Sequence, residues 1–311
     1  MEKHAKIYGA GAQTLIGAAI LRELNHQGYN NIVGREGQEA CLTDAAQVDA
    51  FFAQNTPEYF FLTAGRSGGI WANLKYPADL MLENLLVECN IIHAAYKYRV
   101  KKLLYLASSC CYPKHCPQPM KEGYLLTDLL EPTNEAYAVA KIAGIKLCQA
   151  YRKQYRVDFM CGIPANCFGP GDDFSLEDSH VIGALMHKMH DAKLQGLKQV
   201  TIWGTGKPRR EFIYVGDLAI ACVFAMDNYN DIEPINLGCG EDFSIAELAF
   251  MIKKLTGFQG KLIFDTSKPD GMPIKLLDSH KLQKLGWIPI WSFEKALAKT
   301  HAWFAENVDT D

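Results

Sequence analysis

The run Lys6–Gly17, KIYGAGAQTLIG, decides the fold. Its first part, Lys6–Gly11, is apolar and of strand length, and a helical pattern opens beyond it over Ile16–His26. The turn between them, Gly11 through Thr14 to Gly17, sits where a dinucleotide pyrophosphate rests on backbone N–H groups at a helix N-terminus. Gly11 and Gly17 let backbone and phosphate approach closely. Thr14 stands in place of the usual middle glycine, so the turn taken alone reads equally well as an ordinary tight turn.

Outward from this unit the alternation continues. Asn31–Val33 is a short strand and Ala45–Gln54 a helix. Tyr59–Ala64 (YFFLTA) and Lys102–Ser108 (KLLYLAS) are two further strands, with a helical pattern between them over about 78–98. Strand–helix alternation of this kind predicts an α/β fold with a doubly wound parallel sheet of the Rossmann type. Beyond residue 169 the pattern changes. Gly169–Asp173 is a loop, and Val200–Trp203 a strand running into Gly204–Pro208. Asp242–Ser244 caps a helix over Ile245–Leu255, and Ser292 caps another over Phe293–Phe304, with Phe293, Leu297, Thr300 and Phe304 on one face. These segments form a smaller, interleaved C-terminal lobe.

The helix around 80–95 is apolar over most of its circumference, through Leu80, Met81, Leu82, Leu85, Leu86, Val87, Ile91 and Ile92. Such a helix is covered on two sides. The sheet accounts for one; either a second subunit or the rest of the chain accounts for the other.

Composition excludes several classes. The chain has 311 residues, 49% hydrophobic and 22% charged, with net charge −3. That is too apolar for disorder, and there is no basic excess to neutralise a nucleic-acid backbone. No apolar run approaches the roughly 20 residues of a membrane span, and no signal-peptide core precedes the first strand. The ten cysteines therefore read as reduced thiols of a cytoplasmic protein.

Three sets of residues carry chemistry. Tyr137 and Lys141 form a Tyr-x-x-x-Lys pair on one helix face, and Ser108 ends the preceding strand. An ammonium beside the phenol is expected to lower its pKa, with Ser108 binding a substrate carbonyl and Tyr137 giving it a proton as a nicotinamide delivers hydride. Cys110 and His180 can both move protons near neutrality, although on spacing alone a buried thiol and a helix-start residue are the commoner fates. Cys110, Cys111, His115 and Cys116 lack the Cys-x-x-Cys spacing of a zinc site. Late in the chain Lys188, Trp203, Lys207, Arg209 and Arg210 suit a diphosphate and a planar base or sugar face, while Asp270 can accept from sugar hydroxyls. Arg209 or Arg210 taken singly reads as solvated surface, and Asp270 as a turn residue.

Four stretches together resemble a known family: SSCCYPK (108–114), LEPTNEAYAVAKIAGIK (130–146), DSHVI (178–182) and WGTGKPRREF (203–212). They are similar to the GDP-L-fucose synthases, which are extended short-chain dehydrogenases/reductases, and the likeness runs from Lys6 to about Phe304. It implies a bifunctional, NADPH-dependent enzyme that epimerises GDP-4-keto-6-deoxy-D-mannose at C3 and C5 and then reduces C4. By resemblance Cys110 and His180 are the epimerising acid–base pair, and Ser108, Tyr137 and Lys141 serve the hydride step. The same resemblance places the cofactor on Gly11, Thr14, Gly17, Arg35, Leu106, Ala107, Ser108, Ser109, Lys141, Pro164, Ala165, Asn166, Cys167 and His180. It places the GDP-sugar on Lys188, Trp203, Arg210 and Asp270, with no metal. It further implies a homodimer built on paired helices.

The expected division is a dinucleotide-binding domain over 1–168, rejoined by 215–240, and a nucleotide-sugar lobe from 169–214 and 241–311. Departures from the family pattern are Gln13, Thr14 and Gly37 around the cofactor, with Arg35 close by, and Ser67, Lys188 and Ile274 around the sugar. They keep open NAD in place of NADP, another GDP-4-keto sugar (a dideoxyhexose or heptose), a reductase alone, and a non-enzymatic dinucleotide sensor.

Overall fold

The computed structural model describes residues 1–34, 40–176 and 179–308. The chain opens β1 (Ile7–Ala10), α1 (Leu15–His26), β2 (Ile32–Val33), α2 (Ala45–Asn55), β3 (Tyr59–Leu62). Two helices, α3 (Ile70–Lys75) and α4 (Pro77–Lys97), then lead to β4 (Lys102–Leu106), α5 (Glu135–Tyr155) and β5 (Asp158–Pro164). At Pro164 the chain leaves this layer. It forms β6 (Asn166–Phe168), α6 (Val181–Leu194), β7 (Gln199–Trp203) and β8 (Arg209–Tyr214), then α7 (Val215–Asn228), and returns through β9 (Ile235–Leu237). The remainder comprises β10 (Asp242–Ser244), α8 (Ile245–Thr256), β11 (Lys261–Asp265), β12 (Ile274–Lys275), α9 (His280–Lys284) and α10 (Phe293–Asn307).

The main sheet is six-stranded and wholly parallel, in the order β2-β1-β3-β4-β5-β9. Its order reverses between β1 and β3, and in such sheets ligands bind outside the carboxyl ends of the strands at that point. Parallel strands covered on both faces are apolar at every position, which is why β1, β3 and β4 read so clearly: Phe60, Phe61, Leu62, Leu103 and Leu104 are fully buried. Aromatic packing ties α2 to the sheet, with Phe52 stacked on Phe60 at 5.3 Å and Tyr8 edge-on to Phe60 at 4.6 Å.

The expected strands ran two residues too far at Thr63–Ala64 and Ala107–Ser108. Thr63 and Ala107 each still donate one backbone bond to the neighbouring strand, to Ala10 O at 3.1 Å and Gly162 O at 2.9 Å, before the pairing ends. Helix α1 starts one residue earlier than the pattern indicated, because Thr14 is its N-cap and accepts from Gly17 N–H at 3.1 Å. In α4, Leu80, Val87, Ile91 and Ile92 are buried within the chain, whereas Leu82 and Leu86 remain 58% and 38% exposed.

Two smaller sheets build the second lobe. One runs β10-β8-β12 with β6 also paired to β8, and β11 pairs with β7. Ser244 and Glu247 close a capping box on α8. Phe293, Leu297, Thr300 and Phe304 of α10 all point inward, and Phe293 stacks on Phe243 at 4.3 Å. Buried Glu211 joins the pieces by accepting from the amides of Cys239, Gly240 and Leu277. Burial raises its pKa to about 7 against the pull of those three bonds. Among the described residues no helix is long and apolar enough to cross a membrane.

Candidate active site

The first part of the site is the turn after β1. Gly11 has φ +92°, a conformation L side chains rarely adopt, and a Cβ on Gly17 would lie 1.9 Å from the Gly11 carbonyl oxygen. Any side chain at Gly17 would push α1 off the strand end. Thr14 locks the turn from within: its hydroxyl donates to Gly11 O at 2.7 Å and receives Gly17 N–H. Thr14 thus stands where the pattern has glycine and turns its hydroxyl onto the backbone of the turn. Leu106 at the end of β4, Ala107 and Ser109 after it, and Ala165 after β5 are buried along the same carboxyl edge. Arg35 lies outside the described residues, as does Gly37.

The second part is a cavity of about 400 Å³ between the main sheet and the second lobe. It brings together Cys110, Asn166, Cys167, His180, Lys188, Trp203, Arg210 and Asp270. The expected Ser108, Tyr137 and Lys141 do not line it; they lie just after β4 and on the first turns of α5, and Ser108 Oγ accepts from the N–H of Cys110, which does line it. Alternation along β8 sorts the two arginines. Arg209 is tied to Asp242 and Glu247 at 3.0 and 3.2 Å on the outer side, and Arg210 enters the cavity. Burial pulls Arg210 down to about 10, and it donates to Asp270 O at 3.3 Å. The Asp270 carboxylate accepts from Thr205 N–H and hydroxyl at 2.7 and 2.8 Å, so it holds the Trp203–Thr205 turn as well as facing the cavity. Lys188 is half-buried, its pKa lowered by burial, 6.0 Å from the Trp203 ring.

Cys110 and His180 meet the cavity from opposite elements, the loop after β4 and the N-terminus of α6. Burial raises the Cys110 thiol, but the Lys275 ammonium, a hydrogen bond with Ser108 and the Arg210 charge outweigh it, and the net shift is downward. Its sulfur accepts from Asn134 Nδ2 at 3.1 Å and Lys275 Nζ at 3.3 Å. Burial and the same Lys275 charge lower His180, against Asp173.

Tyr137 departs from expectation. Its pKa lies well above the usual phenol value, because burial and the nearby Cys110 outweigh the hydrogen bond with Ser108. Lys141 sits 5.9 Å from the Tyr137 ring, and its ammonium pairs with Glu88 at 3.2 Å. Tyr137 is thus held protonated, as a proton donor to an oxygen must be.

Three functional-site residues escaped the sequence reading. Glu88 was hidden in an apolar helix, and Asn134 precedes the Tyr137 turn as the N-cap of α5. Lys275 lies in a strand of two residues, too short to carry any pattern.

A parallel sheet with a glycine turn at β1, with Ser108, Tyr137 and Lys141 at its carboxyl edge and a cavity near them, is the architecture of the short-chain dehydrogenases/reductases. The chain belongs to the NAD dependent epimerase/dehydratase family, which it matches over residues 7–246. Within that family it is 52% identical over 308 residues to an Arabidopsis thaliana protein named putative GDP-L-fucose synthase 2, covering 99% of this chain and 94% of that one. Among solved structures, a GDP-6-OMe-4-keto-L-xylo-heptose reductase from C. jejuni superposes with TM-score 0.94 at 34% identity, over 99% of both chains. A GDP-L-fucose synthetase from Naegleria fowleri bound to NADP gives TM-score 0.90 at 30% identity, over 99% of this chain and 96% of that one.

Proposed function

We propose that this protein is a GDP-L-fucose synthase: it converts GDP-4-keto-6-deoxy-D-mannose to GDP-L-fucose by inverting C3 and C5 and reducing C4 with NADPH. The observation that carries this reading is the joining of two chemistries at one cavity. A thiol of lowered pKa and an imidazole, Cys110 and His180, face the space bounded by Arg210, Lys188, Trp203 and Asp270, and the Ser108/Tyr137/Lys141 set adjoins it.

The C4 ketone acidifies the hydrogens on C3 and C5. Cys110 removes a proton from each carbon in turn, the C–H bonding pair passing into an enolate whose charge rests on the C4 oxygen, and His180 delivers a proton from the other face. Between the two carbons Cys110 gives its proton to solvent and His180 takes one up from it. Ser108 holds the C4 oxygen, and Tyr137, kept protonated, gives that oxygen its proton in the reduction. Arg210 and Lys188 hold the diphosphate, with Trp203 against the base or sugar and Asp270 on the sugar hydroxyls. Gly11, Thr14, Gly17, Leu106–Ser109, Lys141, Pro164–Cys167 and His180 hold the dinucleotide, and Arg35 is proposed for its 2′-phosphate; NADPH, when bound, supplies the hydride. The cradle at Gly17 and the small residues along the strand ends fit such a group. The setting we propose is cytoplasmic, and the assembly a homodimer through the exposed Leu82 and Leu86 of α4.

The likeness to a heptose reductase supports a second reading, C4 reduction alone. Product analysis separates the two. Given GDP-4-keto-6-deoxy-D-mannose and NADPH, the proposed enzyme yields GDP-L-fucose by NMR, whereas a reductase yields a C4 alcohol with C3 and C5 uninverted.

A further inference from the structure

Lys275 is only 7% exposed, yet it ends in an ammonium. Among the described residues no carboxylate pairs with it; the acceptor within reach is the Cys110 sulfur, at 3.3 Å. A buried ammonium without a counter-charge is one of the costlier arrangements a protein can hold. A neutral thiol would leave it so, because a thiol is only a weak acceptor. A thiolate would satisfy it.

We propose that Lys275 and Cys110 form a buried ammonium–thiolate ion pair, making Lys275 the positioning residue that arms Cys110 as the base of the epimerisation. The inference rests on the assignment of Cys110 above and adds to it the group that supplies its charge.

The surroundings agree from every side. Arg210 on β8 adds a second positive charge, and Asn134 Nδ2 donates to the sulfur at 3.1 Å. The Cys110 N–H is turned away to Ser108 Oγ at 3.2 Å. Tyr137 on α5 and the neighbouring Cys111 face the sulfur as neutral groups, both pushed up by burial. His180 feels the same ammonium, which disfavours its charged form. Glu131, the buried carboxylate of the cavity wall, is engaged by Lys114 at 3.0 Å. The backbone fixes the lysine: β12 pairs with β8 so that Lys275 lies opposite Arg210, and Glu211 grips Leu277 N–H two residues on.

In the proton transfer the C–H bond beside the ketone breaks and an S–H bond forms. The bonding pair moves into the substrate's enolate, and Lys275 keeps all its protons. The positive charge left beside the new thiol then faces the enolate. Lys275 thus works on both sides of the step without exchanging a proton itself.

The test uses the full-length protein and reads the sulfur directly. Iodoacetamide alkylation of Cys110, followed by mass spectrometry of its peptide, is measured across pH for wild type, Lys275→Met and Lys275→Arg. Exposed Cys41 serves as an internal control. Lys275→Met is expected to cut the Cys110 rate at neutral pH by about tenfold or more and to move its pH profile alkaline, since a lost neighbouring charge costs at least that much thiolate. Lys275→Arg restores both. An unchanged rate and profile in Lys275→Met would overturn the proposal. Should Lys275→Met fail to fold, the 240 nm absorbance of wild type minus Cys110→Ser decides. A thiolate band at neutral pH supports the pair, and its absence refutes it. Neither readout involves the sugar, so a wrong substrate assignment and a wrong ion pair give different failures.

Discussion

Replacing Glu88 by alanine isolates one interaction on which the hydride side of the site depends. Glu88 is 1% exposed on α4, and its Oε1 accepts from Lys141 Nζ at 3.2 Å and from the Tyr105 hydroxyl at 2.7 Å. Lys141 is itself only 5% exposed. Glu88→Ala therefore strands a buried ammonium and leaves the Tyr105 hydroxyl only the Lys141 carbonyl at 3.3 Å, a loss of about 3–5 kcal/mol. At about 2 cal/mol/K of unfolding entropy per residue, that lowers the melting temperature of a chain of this length by about 5–8 °C. Calorimetry on wild type, Glu88→Ala, Lys141→Met and the double variant gives the measurement. The double variant should recover part of the loss, because the uncompensated charge is gone. A loss below about 1 kcal/mol in Glu88→Ala, or full additivity in the double variant, would refute the reasoning.

Three other outcomes follow from the geometry. Tyr137→Phe should slow C4 reduction by about 10²–10⁴-fold, the usual worth of a positioned acid, while deuterium from solvent still enters C3 and C5. Cys110→Ser should slow that deuterium entry; inversion at C5 at the wild-type rate would show that another group is the base. The pair Leu82→Asp and Leu86→Asp, on the exposed stripe of α4, should leave far-UV circular dichroism unchanged and convert a dimer to a monomer in sedimentation velocity. A wild-type chain that already sediments as a monomer would end the dimer proposal.

The main sheet was legible because parallel strands buried on both faces are runs of apolar residues bounded by small ones, as in Tyr59–Ala64. The motif residues were legible as types, and the fold decided what each one does. Arg209 and Arg210 are indistinguishable in sequence, and only the pleat of β8 sends one to Asp242 and the other to the cavity. Tyr137 and Lys141 have the expected spacing, but the lysine's charge is engaged by Glu88, a partner 53 residues away that no local pattern links to it. Lys275 was invisible for a related reason. Its strand is two residues long, and its partner Cys110 lies 165 residues earlier. Contacts across such separations come from topology, here the β12–β8 pairing, which periodicity does not encode.

The central claim is that one cavity both inverts and reduces. Reaction of the purified protein with GDP-4-keto-6-deoxy-D-mannose and NADPH in deuterated water, with NMR of the product, tests it directly. The account predicts GDP-L-fucose carrying deuterium at both C3 and C5. A reduced product with hydrogen retained at both carbons would contradict it and leave Cys110 and His180 without a catalytic role.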